Sequence, residues 1–157
     1  MTVSIRSAIE SDVTTIAEFN RQLALESEAK HLDPAVLHAG VRRALATPEL
    51  CAYFIAEHQG APVGQTMVTY ELTDWRDGVF WWIQSVYVSA EYRGRGVFRA
   101  LFEHIKKLVQ ARPEGRGIRL YVEGDNSRAQ RTYAALGFVR SGHHLLEIDW
   151  SGAVTKA

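Results

Sequence analysis

The hydrophobic pattern changes period along the chain, and each change marks an element. Residues 3–8, "VSIRSA", alternate like a strand. Ser11 and Asp12 then offer an N-cap to a helix running to about Leu25, with Val13, Ile16, Ala17, Leu23 and Ala24 on its apolar face. A polar connector, "ESEAKHLDP", leads to a second helix, capped by Asp33, opened by Pro34 and extending towards Ala46. "CAYFIAEH" reads as a strand, "QGAP" as its turn and "VGQTMVTYEL" as the returning strand. After "TDWRDG", the run "VFWWIQSVYV" at residues 79–88 is apolar on both faces, which predicts a strand inside the sheet.

Helical spacing returns at Val97, Leu101, Ile105 and Leu108, and Pro113 and Gly115 end that helix. Residues 118–123, "IRLYVE", read as a further buried strand. "DNSRAQRTYAALG" reads as a capped helix stopped by Gly137, and "FVRSGHHLLEIDW" as one or two closing strands. The predicted order is β–α–α–β–β–β–α–β–α–β–β. That implies an α/β domain of residues 1–157, a mixed sheet with helices on both faces, neither doubly wound nor a bundle.

Composition narrows the function. The formal charge is zero, 18 basic against 18 acidic residues, so general nucleic-acid binding is not expected. The single Cys51 cannot form an internal disulfide, which fits a reducing cytoplasm. No secretory signal or membrane-spanning run is visible, so the expected protein is soluble and cytoplasmic, with no membrane partner. His143 and His144 are adjacent and would face opposite sides of a strand, so no metal is expected.

Against this neutral background, "EYRGRGVFRALFEHI" concentrates Arg93, Arg95 and Arg99 with Gly94 and Gly96 just before a helix. Bare backbone, a helix N-terminus and three cations make a seat for an anion, best a phosphate. The run lacks the GxxxxGK of a P-loop, and Arg99 stands where a dinucleotide fingerprint needs its third glycine.

At this loop the chain resembles the GNAT superfamily of N-acetyltransferases. Arg93-Gly94-Arg95-Gly96-Val97-Phe98 matches that family's acetyl-CoA loop at Arg93 and Gly96 and departs from it at Phe98, where a small residue is usual. Asn126, Ala129, Tyr133 and Gly137-Phe138 match its second motif. The resemblance implies a GNAT-like fold with a mostly antiparallel sheet, and acetyl-CoA as co-substrate. The arm of acetyl-CoA would lie along the backbone of Val86, Tyr87 and Val88. Its diphosphate would sit on the amides of the Gly94, Arg95, Gly96, Val97 and Phe98 loop, with Arg93, Arg95 and Arg99 adding charge.

Asn126 and Ala129 would stand beside the cofactor arm, and Tyr133 would protonate the departing thiolate. The expected reaction is direct attack by a primary amine, of a small molecule or a protein, with a non-catalytic acyl-CoA-binding domain as the alternative. A homodimer fits the family habit. The general base stays open among Glu71, Glu123, Glu26 and water, with His143 and His144 behind them, because Gln84 stands where the family often has a glutamate. Core and hairpin packing accounts for Trp82, whereas Trp75, in the turn, is expected to be exposed. Glu26, Glu28 and Asp33 could draw a cationic acceptor.

Overall fold

Hydrophobic alternation does form the sheet. In the computed structural model, which describes residues 1–151, five strands lie in the order β1-β2-β3-β4-β5. They are β1 (Ser4–Ser7), β2 (Cys51–His58), β3 (Ala61–Thr73), β4 (Gly78–Val88) and β5 (Gly115–Leu120). The first four are antiparallel, with register pairs such as Arg6↔Ile55, Tyr53↔Met67 and Thr69↔Trp82. β5 pairs parallel to β4, because the helix α3 (Val97–Gln110) intervenes as a crossover.

Successive residues of β2 serve opposite faces. Tyr53 and Ile55 join Val13, Ile16 and Ala17 of α1 (Val13–Glu28) and Val41 of α2 (Pro34–Ala46) in one core cluster. Phe54 points the other way, its ring 5.2 Å from His104 of α3 (Val97–Gln110). Ile16, Ile55, Leu101 and Ile105 are fully buried, and each such side chain contributes about 1.5–3 kcal/mol. Asp33 caps α2 through the amides of Ala35 and Val36, as its sequence predicts. Asp12 stands at the N-cap of α1 but does not cap it. Its buried carboxylate accepts from Ile9 N and, at 2.7 and 2.8 Å, from Arg6, whose hydrogen bonds hold it below the usual carboxylate range.

The described residues form two compact units, Met1–Tyr121 and the residues from Val122 onward. The second contains α4 (Ser127–Ala135). Asn126 Oδ1 accepts from Ala129 N at 3.0 Å, and Gly137 closes the helix at φ +94°. Gly137 N reaches Ala134 O and Phe138 N reaches Tyr133 O, both at 3.0 Å, the paired bonds of a Schellman motif.

Two expectations need correction. The fifth strand starts and ends three residues earlier than the sequence suggests, at Gly115–Leu120, because pairing with β4 selects that register. The closing strands expected in "FVRSGHHLLEIDW" do not form among the described residues. Leu146, Ile148 and Trp150 alternate correctly but are 91%, 76% and 88% exposed, and alternation without a ladder partner does not make a strand.

Candidate functional site

β4 changes character halfway. From Val79↔Gly115 to Ile83↔Leu120 it pairs with β5; beyond Ile83 that ladder stops, while β4 continues to Val88. At the same point its register with β3 slips, so that Ser85 and Val86 oppose the single residue Thr66. Ser85 takes φ +49°, a left-handed conformation seldom adopted by a residue with a side chain. Within the first unit, the described residues therefore leave Val86, Tyr87 and Val88 with no β5 partner on that edge, where an extended ligand could pair as a strand would.

The chain then turns through Gly94 and Gly96, at φ +75° and +86°, values that glycine alone reaches without strain. Gly96 is the N-cap of α3, and no side chain caps the helix there. The first amides of α3, from Val97, Phe98 and Arg99, therefore point out of a positive helix end. Val97 is buried, Phe98 half-buried, and Arg95 and Arg99 are exposed.

Arg93 differs from the other two cations. Its Nε donates to Val88 O at 2.8 Å, its Nη2 meets Glu26 Oε2 at 2.5 Å, and its guanidinium lies over the Tyr87 ring at 5.5 Å. The Tyr87 hydroxyl bonds Gln22 and lies 3.2 Å from Glu26, and burial raises its pKa. Arg93 is thus a brace joining α1 to the end of β4. Glu26, one of the candidate bases, is engaged at both oxygens by this brace.

Glu71 likewise accepts from Trp82 Nε1 and from Arg119, the latter at 3.0 Å. Trp82 also stacks on Tyr121 at 4.5 Å, and Trp75 is 90% exposed. Gln84 donates to Thr69 Oγ1 at 2.7 Å. Sequence reading overlooked the bulge and the brace: neither a glycine nor a charge pattern marks Ser85, and Glu26 lies 67 residues from Arg93.

In the second unit, Asn126, Ala129 and Tyr133 share one face of α4. Tyr133 is half-buried, 5.8 Å from the Phe138 ring, and desolvation raises its hydroxyl above the ordinary phenol value. Glu123, His143 and His144 are exposed. No group of metal-ligating side chains occurs among the described residues. No described helix is long and apolar enough to cross a membrane.

Comparison with known proteins agrees with this architecture. The model of the acetyltransferase (GNAT) family matches residues 16–138. A solved "possible acetyltransferase" of Clostridium difficile 630 is 41% identical, with a TM-score of 0.88 over 95% of this chain and 98% of its own. A "predicted acetyltransferase with acetyl-CoA" of Clostridium acetobutylicum shares the fold at 19% identity and a TM-score of 0.76, over 94% of this chain and 96% of its own. N-alpha-acetyltransferase 40 of Saccharomyces cerevisiae is 39% identical over 66 residues, spanning 38% of this chain and 23% of that protein. With the family matched over most of its length and the family's fold built around an open β4 edge and a glycine loop, this chain belongs to the GNAT acetyltransferases, acyltransferases that use acetyl-CoA.

Proposed function

We propose that the protein transfers the acetyl group of acetyl-CoA to a primary amine by direct attack, in the cytoplasm. The observation that carries this reading is the early end of the β4–β5 ladder at Ile83↔Leu120, with five more residues of β4 leading to a glycine loop and a helix start without a side-chain cap. Unpaired strand backbone suits the amide-bearing arm of coenzyme A, and the loop amides of Gly94, Arg95, Gly96, Val97 and Phe98 suit its diphosphate. Arg95 and Arg99 add charge from the loop and the first turn, while Arg93 holds the backbone in place. An amide of residues 86–88 stabilises the oxyanion formed as the amine attacks.

Tyr133 gives its proton to the departing thiolate, and Asn126 and Ala129 shape the cofactor side of its helix. With reference values of about 8.5 for a thiol and 10 for a phenol, that transfer is uphill by roughly 2 kcal/mol, a gap a positioned acid can cover. Burial raises the phenol's pKa, which widens that gap somewhat but keeps the donor protonated through the neutral range and moves its ionisation to more alkaline pH than an ordinary phenol shows.

The acceptor is an amine of a small molecule or a protein. Replacing Tyr133 by Phe tests the assignment: calorimetric affinity for acetyl-CoA stays within about twofold while coenzyme A release falls roughly ten- to hundredfold. Unchanged release would remove Tyr133 from the reaction.

A further inference from the structure

Four planar side chains form a row across β4 and the end of β5. Phe80 pairs with Gly117, and a Cβ there would stand 2.7 Å from the Phe80 ring, so only glycine leaves the ring its place. The Arg119 guanidinium covers that ring at 3.9 Å and lies 5.8 Å from the Trp82 ring. Trp82 in turn stacks on Tyr121, with centroids 4.5 Å and planes 27° apart. Glu71 pins the row from β3, its Oε2 accepting from both the Trp82 indole N–H and Arg119.

The row is flat, held in place and neutral, because Glu71 answers the charge of Arg119. Folding nevertheless leaves it unfinished. Phe80, Trp82 and Arg119 are only half-buried, and Tyr121, the last plane, is 53% exposed. Rings already fixed in position lose little freedom when a ligand covers them.

The row also ends beside the site. Thr69 pairs with Cys51 on one side and Trp82 on the other, so Trp82 projects from the face that carries Tyr53 and the α1–α2 core. Gln84 comes next on that face. Tyr121 directly follows the Ile83↔Leu120 pair that closes the β4–β5 ladder, which sets it level with Gln84. Val86, where the unpaired edge begins, lies two residues further, at most roughly 7 Å along an extended strand.

We propose that Tyr121 and Trp82 select the acceptor, and that the acceptor is an arylalkylamine, a primary amine joined through two or three carbons to a flat aromatic ring. The inference rests on the reading of residues 86–88 as the seat of the acetyl-CoA arm. The ring extends the row at Tyr121, and the short chain carries the amine to the thioester carbonyl at the edge. There a nitrogen–carbon bond forms, the carbon–sulfur bond breaks, and the proton lost from nitrogen is balanced by the one gained at sulfur. A neutral row suits an uncharged ring, whereas a polyamine would meet the cation of Arg119.

Coenzyme A release with phenethylamine, n-butylamine and spermidine tests this. For phenethylamine kcat/KM should exceed that of either other amine by at least about tenfold, since stacking adds to the burial of the ring. Tyr121→Ala removes an exposed ring, so the melting temperature should hold. It should raise the KM of phenethylamine about tenfold with kcat within about twofold, and leave n-butylamine unchanged. Tyr121→Phe keeps the plane and should keep the preference. A purely structural role would move both amines alike.

Equal or better turnover of n-butylamine or spermidine overturns the inference and leaves acetyl transfer standing. So does a preference that survives Tyr121→Ala. Release with none of the three amines also overturns it, and acetyl-CoA binding, measured alone by calorimetry, then decides whether the reading of the edge falls with it.

Discussion

The two halves of β4 are built from similar residues and do different work. Residues 78–83 have β3 on one side and β5 on the other, and Trp81 and Ile83 are each 3% exposed. Residues 84–88 keep β3 but lose β5, pass through a bulge, and rely on a side chain, Arg93, to bond Val88 O. A ladder filled on both sides is scaffold. A ladder filled on one side retains hydrogen-bonding groups for a ligand, and the protein must then hold that stretch in shape by other means.

The sharpest way to break the contrast is Trp81→Ala in the filled half. Trp81 packs edge-on to Tyr70 at 4.9 Å beneath the Arg112 guanidinium, so its loss should cost about 3–5 kcal/mol in denaturant unfolding, with acetyl-CoA affinity of the folded fraction unchanged. Weak binding in a stable protein would erase the distinction between the halves. Next comes Gly64→Ala, where a Cβ would stand 2.8 Å from Tyr87 O and 3.2 Å from the Val97 side chain. That variant should lose about 2 kcal/mol, and by pushing β4 and α3 apart should also weaken acetyl-CoA roughly tenfold by calorimetry. Intact affinity there would show that the open half tolerates displacement.

Replacing Arg95 and Arg99 together by Ala should leave the melting temperature alone and raise the acetyl-CoA Kd by about tenfold, with a flatter salt dependence. The smallest effect belongs to Glu26→Gln. Its pair with Arg93 is well exposed, so stability should change by less than about 1 kcal/mol, and any loss of affinity should be only a few-fold. A large loss would promote Glu26 from brace to reactant.

Much of this was legible in the chain because local chemistry decided it. The Asp33-Pro34 start of α2 and the Asn126 cap and Gly137 stop of α4 follow from side chains that bond their own neighbours. The amphipathic start of α3 at Val97 and the glycine pair before it were equally plain. What stayed hidden is imposed from a distance. Ser85 carries no mark of a bulge, since its left-handed φ belongs to a slip in pairing with β3, a strand about 20 positions earlier. The bonds of Arg93 to Val88 O and to Glu26, 67 positions earlier, were equally unmarked. At Leu146, Ile148 and Trp150 the reverse occurred: the period of a strand was there, and the hydrogen-bonding neighbour was not.

On the proposed seat for the diphosphate, the start of α3 also couples occupancy to endurance. α2 and α4 satisfy their first amides with Asp33 and Asn126, whereas α3 begins at Gly96 with no such oxygen, a deficit of a few tenths of a kcal/mol. An outside anion that completes those amides binds only the folded chain, so it must delay melting, by about 2.7 kcal/mol when present at a hundred times its Kd. Cells rich in the donor molecule would therefore hold a sturdier protein than starved ones, with no change to the polypeptide.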